Sequence, residues 1–180
     1  MSFGENLETL IPADRIQARV AQIAQDIRRD IGDSPILLLC VLKGAFPFLA
    51  DLAKNMEGDV LFDFIQVSSW AGGRESTGSV RIKKDHDFDI KGMHVVLVED
   101  IVDSGLTLTY LRELLGTRQP ASLRVAALLS KPDAREHNVP VEYIGFEIEN
   151  RFVVGYGLDD GERFRNLPYV AAVIPTSEPV

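Results

Sequence analysis

The chain has 180 residues, 46% hydrophobic and 26% charged, with a net charge of −8. Such a composition describes one globular domain with a sizeable core and excludes a disordered chain. The acidic balance argues against nucleic acid or an anionic membrane as the main partner, so a polyphosphate would have to be held locally by loops, a few cations and bound metal. The single Cys40 excludes an intramolecular disulfide, and its apolar neighbours mark it as a packed thiol rather than a nucleophile. No stretch approaches the roughly 18–20 apolar residues of a membrane span. Residues 1–6 lack the basic start and apolar block of a signal peptide, so the cytoplasm is the expected location.

In chain order, residues 12–31 predict an amphipathic helix. Ile16, Val20, Ile23, Ala24, Ile27 and Ile31 recur at three- and four-residue spacing, with Pro12 at the start and Gly32 at the stop. Residues 35–41 form a buried strand that runs through Leu42-Lys43-Gly44 into a helix over about 45–56. Taken alone, Lys43 is either a surface lysine in a βα turn or part of a phosphate loop. A strand over 60–67 leads into Ser68-Ser69-Trp70-Ala71-Gly72-Gly73, part of a polar, Gly-rich connection through Ser79. That connection is long for a compact domain, which suits a loose hairpin or a lid. Residues 80–82 return as a strand. Further on come a helix over about 107–115, a strand over 125–129 and a tail from 175. His86, His94 and His137 show no metal-ligand spacing. Strands alternating with helices predict an α/β fold with a mainly parallel central sheet.

The most informative stretch begins at Val95-Val96-Leu97-Val98, four apolar residues that read as a strand buried on both faces. Glu99, Asp100 and Asp103 follow, then Ser104-Gly105-Leu106-Thr107 and an apolar helix. A strand, a tight Gly-containing loop and a helix N-terminus form a seat for a phosphate, because main-chain N–H groups and the helix dipole point at it. Glu99 and Asp100 sit at the strand end, where open α/β sheets place ligands. Ionised carboxylates only accept hydrogen bonds, so they suit ribose hydroxyls, directly or through a metal. Asp103 would then lie near the reacting centre and could move a proton. A strand end with solvated acids is the plain alternative. The metal-holding strand of a P-loop nucleotidase is a third, but the chain has no G-x-x-x-x-G-K-[ST].

The sequence Val-Glu-Asp-Ile-Val-Asp-Ser-Gly-Leu-Thr resembles the phosphoribosyl-pyrophosphate (PRPP) signature of type I phosphoribosyltransferases, and closely their 6-oxopurine branch. The resemblance implies that family's fold across residues 1–180, with a core over about 35–130 and a small hood from about 131–175 plus the N-terminus. It implies transfer of a 5-phosphoribosyl group from PRPP to N9 of hypoxanthine or guanine with release of pyrophosphate. Asp103 would be catalytic, exchanging a proton with N7. Glu99, Asp100, Asp103, Ser104, Gly105, Leu106 and Thr107 would hold the ribose phosphate. Leu42, Lys43, Gly44 and Arg165 would hold pyrophosphate, and the Leu42–Lys43 peptide can be cis in the family. Ile101, Lys131, Phe152, Val153 and Leu158 would form the purine site, with Lys131 on the O6 carbonyl, Phe152 stacking and Val153 reading the base edge. Ser69 and Trp70 would belong to a mobile lid. Mg²⁺ would be held by Glu99, Asp100 and Asp159.

Two departures from the family pattern stand out. Trp70 replaces a tyrosine, which removes a phenol from the lid. Leu106 replaces a lysine found in some members, which removes a cation but leaves the loop's main-chain donors. By analogy the chain is a homo-oligomer, dimer or tetramer, acting on small molecules, with no nucleic acid and no membrane as partner. A xanthine- or pyrimidine-using enzyme, and an RNA-binding regulator on the same fold, are the competing expectations.

Overall fold

Two strands with long apolar runs set the middle of the molecule. In the computed structural model, which describes residues 6–70 and 79–174, they are β2 (Ile36–Leu42) and β5 (His94–Val102), paired in parallel at the centre of a six-stranded sheet. Both faces are covered along Ile36–Val41 and Val95–Val98, which explains the continuous hydrophobicity of those runs. Outside β2 lie β3 (Val60–Trp70), parallel, and β4 (Ser79–Lys84), antiparallel. Outside β5 lie β6 (Ser122–Ser130) and β7 (Tyr143–Glu147), both parallel.

On one face of the sheet pack α1 (Ala13–Ile31) and α2 (Phe46–Lys54); on the other packs α3 (Leu106–Gly116). The helix α1 turns Ile16, Val20, Ile23, Ala24 and Ile27 inward, as its spacing predicts, onto Ile36, Leu38, Val96 and Val98. Asp14 in its first turn and Arg28 and Arg29 in its last complement the helix dipole. Leu108, Leu111 and Leu115 of α3 meet Leu37, Leu39, Val95 and Leu97 on the opposite face. A second, three-stranded sheet joins β1 (Asn6–Ile11) to β9 (Val170–Ile174) and β8 (Val153–Val154), and packs into the α1 layer.

Three boundaries differ from expectation. Strand β5 continues past Val98 to Val102, because β6 keeps pairing it through Ile101–Leu129 and Val102–Ser130. The main sheet reaches Glu147 rather than ending near 130, since β7 aligns Phe146 with Leu129 and Glu147 with Ser130. Strand β3 runs to Trp70, whose backbone pairs with Ser79, so the lid positions Ser69 and Trp70 lie in a hairpin strand. The rest of the expected lid, 71–78, and the expected tail, 175–180, lie outside the described residues. Among the described residues, no helix is long and apolar enough to cross a membrane.

Candidate active site

The carboxyl ends of β2 and β5 lie side by side and open into a shared crevice. Glu99 and Asp100 stand at the end of β5, both only partly exposed. Glu99 Oε2 is closed off from solvent and has no hydrogen-bond partner among the described residues. Burial, and then the Asp100 charge beside it, push the Glu99 carboxyl well above its ordinary range; burial raises Asp100 as well. Asp100 Oδ1 accepts the Ile101 N–H at 2.7 Å. Cys40 on the neighbouring strand is fully buried, and desolvation with the two acids nearby pushes its thiol up to about 12. That leaves an inert core thiol.

The loop after β5 is built from main chain. Gly105 has φ +86°, and a Cβ there would stand 2.7 Å from the His137 carbonyl. Only glycine fits that turn without strain. The Ser104 carbonyl accepts the N–H groups of Glu136 and His137 at 3.0 and 2.9 Å, which pins the loop from behind. The Leu106 N–H reaches Ser104 Oγ at 3.4 Å. Helix α3 starts at Leu106, so its first-turn amides, including that of Thr107, have no acceptor within the helix. A pocket of about 90 Å³ lies here, lined by Glu99, Asp103, Ser104, Gly105 and Thr107. Among the described residues, no lysine or arginine lines it. Asp103 is exposed, and its Oδ2 lies 3.6 Å from Nζ of Lys131, a lysine only 7% exposed. The Lys131 N–H donates to the Val102 carbonyl at 2.9 Å, which ties the strand end of β6 to that of β5.

Across the crevice, β2 turns into α2 through Leu42-Lys43-Gly44, and the Leu42–Lys43 peptide is cis. A Cβ on Gly44 would overlap Asp100 Oδ2, so the loop packs directly on the acid pair. Lys43 Nζ lies 3.1 Å from Glu162 Oε2. Arg165 donates from Nη1 to the Gly157 carbonyl at 2.7 Å and places Nη2 2.8 Å from Asp159 Oδ1 and 3.4 Å from Glu162 Oε1. Asp159 Oδ2 accepts the Glu162 N–H at 2.8 Å. Both oxygens of Asp159 are therefore occupied, and it does not join Glu99 and Asp100 in one cage. Among the described residues, no three His, Cys, Asp or Glu side chains gather into a metal site. The unpartnered Glu99 oxygen with Asp100 beside it is nevertheless a hard, anionic oxygen pair that fits Mg²⁺. That ion commonly takes one or two carboxylates and completes its shell with water and substrate phosphates.

The purine-assigned residues divide by exposure. Phe152 presents its ring to solvent at 57% exposure, although apolarity alone would put it in the core. Val153 and Leu158 are buried, and Ile101 is half-buried against the same core layer as Val153. The side chains of Ser69 and Trp70 lie outside the described part of the structure.

Two contributors have no signature in the sequence. Glu162, in a charged run that reads as solvated surface, meets both Lys43 and Arg165. Tyr156 donates its hydroxyl to Asp51 Oδ2 at 2.7 Å, and Gln17 Nε2 donates to the same oxygen at 2.6 Å. Burial pushes the Tyr156 phenol far up, so it stays a donor. This cluster ties the strand-end segment beside the purine residues to α1 and α2, 105 positions away in the chain for Asp51.

The phosphoribosyl transferase domain profile matches residues 8–161, a span that includes the acid pair on β5, the glycine loop after it and the Leu42-Lys43-Gly44 loop. The chain belongs to the phosphoribosyltransferase family and is a transferase. It is 47% identical over 178 residues to the hypoxanthine-guanine phosphoribosyltransferase of Mycobacterium avium, covering 96% of this chain and 88% of that one. It is 45% identical over 174 residues to the hypoxanthine phosphoribosyltransferase of Escherichia coli K12, covering 96% and 98%. The crystal structure of a Bacillus anthracis hypoxanthine-guanine phosphoribosyltransferase matches with a TM-score of 0.89 at 43% identity, over 93% of this chain and 98% of that chain.

Proposed function

We propose that this enzyme works in purine salvage, moving the 5-phosphoribosyl group from PRPP to N9 of hypoxanthine and/or guanine, with IMP or GMP and pyrophosphate as products. The observation that carries the proposal is the half-buried acid pair, with its unpartnered Glu99 oxygen, beside the glycine loop that opens α3, with Asp103 and Lys131 3.6 Å apart at its edge. The 5′-phosphate occupies the 104–107 loop. Glu99 and Asp100 hold the ribose hydroxyls and orient the sugar for in-line attack. Lys131, a buried cation, donates to the purine O6; Phe152 stacks on the base, and the Val153 main chain meets the base edge. Asp103 exchanges a proton with N7. Its carboxylate is exposed, and the Lys131 ammonium 3.6 Å away holds it on the base side.

The reacting carbon develops oxocarbenium character, and the leaving pyrophosphate gathers charge. Lys43 and Arg165 stabilise that charge from the far side of the crevice. Glu99 and Asp100 would hold a bound Mg²⁺, which would supply charge neutralisation for the leaving pyrophosphate. Asp159 contributes only if it exchanges Arg165 for the metal.

The protein acts as a homo-oligomer on small molecules, with no nucleic acid or membrane partner. Support for self-association comes from the aromatic surface beside the Lys43 loop: Phe46 and Phe62 are 52% and 57% exposed and flank Phe64. Exposed apolar clusters of that kind commonly mark protein contacts. Steady-state rates with hypoxanthine, guanine, xanthine and uracil test the activity. Turnover with hypoxanthine or guanine is expected; turnover with uracil alone would overturn the roles of Lys131 and Phe152.

A further inference from the structure

We infer that Glu162 is a built-in counter-ion for the pyrophosphate-binding cations: a carboxylate that incoming pyrophosphate displaces and that weakens its hold on the site. This rests on the assignment of Lys43 and Arg165 to pyrophosphate made above. Glu162 Oε2 lies 3.1 Å from Lys43 Nζ and 3.4 Å from Arg165 Nε, and Oε1 lies 3.4 Å from Arg165 Nη2. One carboxylate thus spans two cations, Lys43 at a separation of 119 residues and Arg165 at a separation of 3. A group with two anionic ends and higher charge would take both cations in the same way.

The backbone is arranged to deliver this side chain. Glu162 has φ +68°, an uncommon conformation for a non-glycine residue. Its N–H is held by Asp159 at 2.8 Å, inside a tight turn closed by reciprocal bonds between Asp160 and Arg163 at 3.2 and 3.1 Å. The ion pair has little structural purpose. The Lys43 and Glu162 side chains are 57% and 64% exposed, and pairs so exposed contribute little to folding. Arg165 is placed without Glu162, by the Gly157 carbonyl and by Asp159. Lys43 and Arg165 hold the Glu162 carboxyl below its ordinary range, so it stays ionised at neutral pH.

An anionic side chain in this position does two things. Before substrate arrives it keeps two solvated cations pointing at one place. Afterwards it repels the bound pyrophosphate and returns to the cations when the product leaves. Its removal therefore tightens pyrophosphate binding and leaves the nucleotide, which is held elsewhere, unaffected.

The test is calorimetric titration of the intact wild-type protein and of Glu162→Gln with pyrophosphate in Mg²⁺ buffer, and separately with IMP. Pyrophosphate is expected to bind Glu162→Gln about fivefold more tightly, the size of one or two exposed ion pairs, with IMP affinity unchanged. Pyrophosphate inhibition of the forward reaction should strengthen by the same factor. Equal or weaker pyrophosphate binding would overturn the role and make Glu162 a positioning group for the cations. A parallel change in IMP affinity would overturn it as a general structural effect. Wild-type protein that binds IMP but no pyrophosphate would overturn both this role and the assignment of the cations, a pattern distinct from failure of Glu162 alone.

Discussion

The crevice has two walls made of different materials, to which the proposed function assigns the two anionic groups of the substrate. The 103–107 loop offers main-chain amides, a glycine turn and a helix N-terminus, with no lysine or arginine among the described residues of its lining. The opposite wall offers long cationic side chains, Lys43 and Arg165, already paired with Glu162 and Asp159. Main-chain donors are fixed by the fold and stand ready without rearrangement, whereas exposed charged side chains take whatever opposite charge is near. The difference matches the fate of the two groups. A 5′-phosphate is present in substrate and product and suits a rigid seat. Pyrophosphate must leave, which suits the wall of exchangeable ion pairs to which the proposed function assigns it.

The sharpest break comes at Asp103, at the start of the loop. Asp103→Asn removes the proton acceptor but keeps shape and hydrogen bonding, so kcat should fall about 10²–10⁴-fold in steady-state assays. PRPP affinity should change far less, and equal losses in both would assign Asp103 to binding instead. Next is the rigid seat. Gly105→Ala meets the His137 carbonyl and an unfavourable φ, and the shifted loop should lower kcat/KM about 100-fold with IMP binding lost in proportion. Lys43→Met acts on the exchangeable wall, where about tenfold weaker pyrophosphate binding by calorimetry is expected.

The smallest effect concerns the acid pair beneath both walls. Glu99 has a folded value raised above the ordinary 4.5, so the folded protein holds that proton more tightly than the unfolded chain. Its share of stability is complete below the unfolded value and is lost as pH rises through the folded value. Glu99→Gln removes that loss. Without ligands, thermal unfolding of the variant should occur about 2–4 °C higher near pH 8, with the difference shrinking near pH 5, while activity falls. A variant less stable at every pH would show that Glu99 supports the fold.

The rigid seat is legible in the amino-acid sequence because everything it needs is contiguous. The β-branched run, the acids, Gly105 and the helix start lie within one stretch, and local geometry follows from local sequence. The same logic locates Lys43 and Gly44 at a strand end. The exchangeable wall is only half legible. Arg165 stands out through family resemblance, but Glu162 sits in a charged run with no local sign that a left-handed turn aims it at Lys43. Tyr156 and Asp51 are hidden for a related reason, since a hydrogen bond across 105 positions leaves no periodicity to detect. Strand β7 is hidden too: Tyr143–Glu147 has mixed polarity because it is an edge strand, covered less fully than β2 or β5.

The distinction between the two walls is tested most directly by titrating IMP and pyrophosphate, with Mg²⁺, into wild type, Gly105→Ala and Lys43→Met. A crossed pattern is predicted: Gly105→Ala loses IMP and keeps pyrophosphate, and Lys43→Met does the reverse. If each variant weakened both ligands alike, the crevice would hold one undivided anion site, contradicting the separation of a retained phosphate from a leaving pyrophosphate.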